Sequence, residues 1–134
     1  KRIGFLKTVI SELKLDGIRA LHLRAEDAGK EPSHREKYDA AVARAVAALP
    51  VLLEYCLPMV KRGGIFIAMK GSSREEIEAS NKALELLGGK IEEVKEFTLP
   101  CSEIKRSIII VRKFRQTPTK YPRKAGKPSK QPLI

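Results

Sequence analysis

Four groups of side chains in this 134-residue sequence have types and spacing that could do chemistry. The first is the carboxylate pair Glu26-Asp27 in "RAED". It is a solvated loop pair, a cap for the short turn that follows, or an acceptor set for a ligand's donor groups. The second is Arg44, the one charge in the run "AAVARAVAAL". A guanidinium held among apolar neighbours needs an anionic partner. Asp39 or Glu54 could supply it structurally, and a ligand carboxylate or phosphate would suit its fork of donors equally. Asp39, at the start of its segment, reads as structural. The third is Lys70, which closes "IFIAMK" as a strand-end charge or a contact to an anionic substrate. The fourth is the thiol and imidazole set. Cys56 and Cys101 lie 45 residues apart and read as reduced thiols, Cys56 as packing rather than as a nucleophile. His22 and His34 have no metal-ligand spacing with either, so no metal site is expected. No Ser/His or Cys/His constellation is evident, and no catalytic base is assigned.

The formal charge of +11 is unevenly spread. From Arg112 to Ile134 there are eight basic residues and no acidic one, so residues 1–111 are nearly balanced. A concentrated basic segment suits a polyanion, most often nucleic acid. Lys120, Arg123, Lys124, Lys127 and Lys130 are the candidate phosphate contacts, and Tyr121 could stack on a base or ribose. The alternatives are a solvated terminus, or a "YPRKAG" element that packs back on the body with only its end free. No apolar run approaches the roughly 20 residues of a membrane span, and "KRIGFLKTVISELK" lacks a signal-peptide pattern. The expectation is a cytoplasmic protein.

These residues need elements to position them. Ile3, Leu6, Ile10 and Leu13 have helical spacing over 2–15, and Asp16-Gly17 stops the run. Residues 18–25 are predicted as a strand, 26–37 as a loop and 38–45 as a buried strand. A helix is predicted over 48–62, with Pro50 in its first turn, Pro58 bending or shortening its end and Gly63-Gly64 as its stop. Residues 65–70 form the next strand. Ser73 and Glu76 have capping-box spacing for a helix reaching Leu87. Residues 90–99 and 107–114 are strands whose short connection makes them antiparallel. Alternation of this kind predicts an α/β fold, a parallel sheet covered by helices on both faces with a closing antiparallel pair. Residues 1–114 form that domain, and residues 115–134, rich in proline and without apolar period, are predicted as an extended basic tail.

The layout resembles a partial Rossmann-like sheet of class I S-adenosylmethionine-dependent methyltransferases. The residues narrow this. "RAED", then "HREKYDAAVARAVAALPVLLEYCLPMVKRGGIFIAMKG", then "TPTKYPRKAGKPSKQPL" resemble the bacterial glucose-inhibited division protein B family. "ARAV", "AMKG" and "YPRKAG" are specific in combination. The resemblance implies methylation of guanine N7 in 16S ribosomal RNA, with S-adenosyl-L-methionine as cofactor and the rRNA or small ribosomal subunit as partner. It implies that Ala25 and Glu26 lie at the cofactor's adenine end and that Arg44 contacts the cofactor. The family's glycine-rich loop and first strands have no counterpart here, so the chain is expected to represent the carboxyl-terminal portion of such an enzyme. A non-catalytic RNA- or ribosome-binding module on a Rossmann-like half domain is the other class of function considered.

Overall fold

The computed structural model describes residues 1–134. Eleven elements follow one another: α1 (Arg2–Glu12), α2 (Ala25–Ala28), β1 (Tyr38–Arg44), α3 (Leu49–Cys56), a 3-10 turn (Leu57–Met59), β2 (Val60–Lys70), α4 (Arg74–Glu78), α5 (Asn81–Leu87), β3 (Gly89–Thr98), β4 (Lys105–Lys113) and α6 (Lys127–Lys130). The sheet order is β1-β2-β4-β3. β1 and β2 are parallel, and both remaining pairings are antiparallel.

Strand alternation divides the sheet into two unlike faces. On one, Ala43, Phe66, Ala68, Ile109 and Val111 are buried against Leu49, Leu52 and Leu53 of α3 and Ala83, Leu84 and Leu87 of α5. Each leucine buried in this way contributes about 2 kcal/mol of transfer free energy. The other face carries Val42, Ile67, Met69, Ile108 and Ile110, with Val42 56% and Met69 41% exposed. No helix of this chain covers it, contrary to the expected two-sided cover. The helix available for that role, α1, has no buried residue, and its Phe5 and Leu6 face solvent. Residues 18–25 are a second correction. They form no strand, because an isolated strand is stable only with a ladder partner, and here their backbone reaches no sheet edge.

The helix predicted over 48–62 ends at Cys56, with Pro58 inside the following 3-10 turn. Gly63 and Gly64 do not stop it. They lie within β2, at a bulge where the β1–β2 register slips between Tyr38 and Ala40. Gly63 takes a left-handed φ of 89°, and a Cβ on Gly64 would lie 2.5 Å from the Asp39 carbonyl, so both positions favour glycine. The helix after Ser73 is broken at Ala79-Ser80 into α4 and α5. Its expected capping box is also absent, because tertiary partners take both side chains. The Ser73 hydroxyl is hydrogen-bonded to Ser107 Oγ at 2.9 Å, and the Glu76 carboxylate accepts the Leu49 N–H at 2.8 Å. The antiparallel β3–β4 pair is as expected, with the Leu99 N–H donating to the Ile104 carbonyl across its connection.

Residues 115–134 are not an extended tail. Tyr121 and Leu133 join the hydrophobic core, and Thr117 and Pro128 are buried. The guanidinium of Arg35 holds this segment from below. Nη1 donates to the carbonyls of Gly29 (2.9 Å) and Tyr121 (2.6 Å), and Nη2 to those of Thr117 (2.9 Å) and Pro118 (3.1 Å). Prolines suppress regular hydrogen bonding, but they leave carbonyls free, and one arginine satisfies several of them at once.

Candidate functional site at the carboxyl ends of the strands

Parallel strands of an open sheet deliver their ligand groups beyond their carboxyl ends. At that end of β1 and β2 lies a cleft of about 560 Å³, lined by Arg44, Met69, Lys70, Gly71, Phe97 and Arg106 among others. A second cleft of about 660 Å³ continues it between the segment after β2 and the β3–β4 hairpin. The two share Gly71, Phe97 and Arg106.

Arg44 ends β1 opposite Met69, exposed, on the face away from α3. It pairs with neither carboxylate proposed from the sequence. Asp39 pairs with Lys61, and Glu54 pairs with Arg123. Lys70 is tied down: its ammonium lies 3.1 Å from Glu76 and donates to the Ala47 carbonyl, which fixes the β1–α3 connection to the end of β2. Ala25 and Glu26 open α2. Glu26 is buried, and its Oε1 accepts the Gly126 N–H at 3.1 Å. Glu26 and Arg44 share no hydrogen bond, and Glu26 lines neither of the two clefts described above. Asp27 stays exposed beside Glu26.

The candidate phosphate contacts divide. Lys120, Lys124, Lys127 and Lys130 are exposed. Tyr121 is 5% exposed, so its ring is packing and is not offered to a base. Arg123 is bound to Glu54, whose hydrogen bond raises the arginine's pKa further. Its charge serves the fold. Burial pushes the Cys56 thiol up to about 12, in keeping with a packing role. His34 is buried, with Nδ1 2.7 Å from the Tyr38 hydroxyl.

Sequence reasoning missed the residues that shape the second cleft, Arg74, Phe97, Lys105 and Arg106. Phe97 stands opposite Arg106 in the β3–β4 ladder. The one available signal was "KEFT", where an aromatic residue falls near the end of a strand that is otherwise wet. It missed Arg35 as well, because carbonyl acceptors leave no trace in composition.

Comparison with known proteins bears on this arrangement. A protein named ribosomal RNA small subunit methyltransferase G from Acetivibrio thermocellus is 67% identical over 133 residues, which is 99% of this chain and 55% of the relative. The protein of the same name from Alkaliphilus metalliredigens is 57% identical over 99% of this chain and 56% of its own. The chain thus spans about half the length of the curated relatives it matches. Among solved structures, the citrinin polyketide synthase CMeT domain superposes with a TM-score of 0.55 at 12% identity, covering 86% of this chain and 37% of that one. A structure concerned with the conversion of a disulfide bond into a thioacetal group during echinomycin biosynthesis gives 0.52 at 11%, covering 84% and 62%. At those identities the likeness concerns the fold, a mixed α/β sheet with one parallel and two antiparallel pairings. The GidB family, described as rRNA small subunit methyltransferase G, matches residues 1–109, and the chain belongs to that family.

Proposed function

We propose that this chain takes part in the methylation of guanine N7 in 16S rRNA, with S-adenosyl-L-methionine as methyl donor and the rRNA or small ribosomal subunit as partner. The observation that carries the reading is the family match over residues 1–109, with Arg44 unpaired at the carboxyl end of β1. Arg44 and Glu26 each keep polar atoms available for a cofactor. Arg44 has no carboxylate partner among the ion pairs of the molecule. Glu26 has one oxygen engaged by Gly126 and its second without a hydrogen bond in the protein, an acceptor for an exocyclic amine. Ala25 offers backbone groups beside it. When bound, the cofactor supplies an electrophilic methyl group.

The chain's own contribution is positional. Guanine N7 already presents a lone pair and loses no proton on methylation, so no general base is required. The residues must align the acceptor with the methyl carbon, which is orientation catalysis. Arg44 would fix the cofactor side, and Lys70, held by Glu76 and Ala47, keeps the neighbouring loop in register. The exposed Lys120, Lys124, Lys127 and Lys130 would meet phosphates. No helix is long and apolar enough to cross a membrane, and an rRNA substrate implies the cytoplasm.

The test is methyl transfer from labelled cofactor to small-subunit rRNA lacking the modification, using a chain extended to the full length of its relatives. Incorporation at guanine N7 is the expected result. RNA binding without transfer would leave only a binding module and refute the enzyme.

A further inference from the structure

We infer that the cleft between the segment after β2 and the β3–β4 hairpin is an RNA-binding groove, in which Arg74, Lys105 and Arg106 hold phosphates and Phe97 stacks on an unpaired base. The inference rests on the rRNA reading above and names where that RNA lies on this chain.

Three observations carry it. First, the cations have no carboxylate partner, and the Arg106 guanidinium donates only to the Lys105 carbonyl, at 3.1 Å. Six lysine or arginine side chains elsewhere, including Lys61, Lys95 and Arg112, pair with carboxylates. Arg74, Lys105 and Arg106 pair with none, although Glu75 and Glu96 stand on the same rim. Second, an aromatic ring is presented among them. Phe97 is 41% exposed and is the sole hydrophobic side chain of this cleft, directly across the ladder from Arg106. Cations beside an exposed ring are the chemistry that grips single-stranded or looped RNA through phosphate and base together. Third, both walls are set in advance. Ser107 Oγ donates to the Gly71 carbonyl at 2.8 Å and accepts from the Ser73 hydroxyl at 2.9 Å, which pins the segment after β2. The hairpin tip is closed by Ser102 Oγ donating to the Leu99 carbonyl and accepting from the Ile104 N–H. A groove whose walls are already ordered loses less entropy on binding. Through Gly71, Phe97 and Arg106 it runs into the cleft that holds Arg44, so RNA lying here would lead a base toward the residue proposed for the cofactor.

The experiment measures binding of a labelled small-subunit rRNA transcript to the chain across a salt series. Arg74→Ala, Lys105→Ala and Arg106→Ala should each weaken binding about fivefold and flatten the slope of log affinity against log salt by about one. Phe97→Ala should weaken it about tenfold with the slope unchanged. Lys61→Ala, at the start of β2 and so at the opposite end of the sheet, should change neither. All four groove positions are exposed, so melting temperature should be kept, and it is recorded for each variant. Parent affinity and parent slope in the triple cation variant and in Phe97→Ala would overturn the groove while leaving the rRNA reading intact. Failure of the parent chain to bind rRNA at all would overturn both.

Discussion

Arg123 closes a two-pronged ion pair on Glu54, with Nη2 2.7 Å from Oε1 and Nε 3.1 Å from Oε2, while its own backbone N–H donates to Oε2 at 2.8 Å. Glu54 is 1% exposed. The carboxylate sits in α3, and the arginine belongs to a segment whose composition suggests a free basic tail. Removing the guanidinium leaves a buried carboxylate with only the backbone donor. Arg123→Ala is therefore expected to cost about 3 kcal/mol, since breaking a buried pair costs more than the pair contributes. Replacing both partners, as in Glu54→Leu with Arg123→Met, should recover most of that. Urea midpoints of the two variants check this, and an unchanged midpoint for Arg123→Ala would return the segment to the status of a loose tail.

A second anchor gives a dependence on pH. Lys113 has no solvent exposure, and its ammonium lies 2.8 Å from Glu36 Oε1 while donating to the Leu57 carbonyl. Burial lowers the lysine's pKa, and Glu36 raises it only in part. For Glu36, burial acts upward, but the Lys113 hydrogen bond, the Thr117 N–H and the charges of Lys113 and Arg35 together hold it below the ordinary carboxylate range. A carboxyl with a depressed folded pKa stabilises fully above its unfolded value, near 4.3, and that stability is lost as pH falls through the folded value. Glu36→Gln should flatten the acid limb of the stability curve below about pH 5. Denaturation followed from pH 7 to pH 3 would reveal it, and identical limbs in parent and variant would refute the coupling.

The strands β1, β2, β3 and β4 were legible in the sequence because their signals are local. "SIIIVRKF" and "IFIAMK" carry β-branched runs, and the short connection expected at 100–106 leaves an antiparallel pair little choice. What failed was whatever depended on partners distant in sequence. Residues 18–25 have strand composition but no ladder, and Ser73 and Glu76 have capping-box spacing but bind Ser107 and Leu49 instead. The tail failed for the same reason. Its charge was counted as free, whereas Arg123 is spent on Glu54, and Arg35 collects four carbonyls that no pattern announces. At the site, Arg44 was found through its oddity in an apolar run. Phe97 and Arg106 meet only because β3 and β4 pair in one register.

The thiols should differ in reactivity. Cys101 is exposed, and Cys56 lies half-buried in α3 with its pKa pushed up to about 12 by burial. Only a thiolate reacts at a useful rate, so alkylation at pH 8 should label Cys101 alone in the folded chain and both in urea. Mass spectrometry of the alkylated peptides reads this directly. Labelling of Cys56 without denaturant would mean that α3 opens from the core.

Arg44 offers the sharpest separation of fold from function. It is exposed and unpaired, so Arg44→Ala should leave the melting temperature nearly unchanged, as surface substitutions do within about 0.5 kcal/mol. If the guanidinium holds S-adenosyl-L-methionine, its loss removes a charge-assisted hydrogen bond, and cofactor affinity should fall about tenfold or more in a chain of full family length. Arg44→Lys keeps the charge but not the planar fork, and should recover only part of the loss. Calorimetric titration of parent and both variants, with a thermal melt of each, decides the matter. Unchanged affinity in Arg44→Ala would remove the residue from the cofactor site and leave it a charged end to β1.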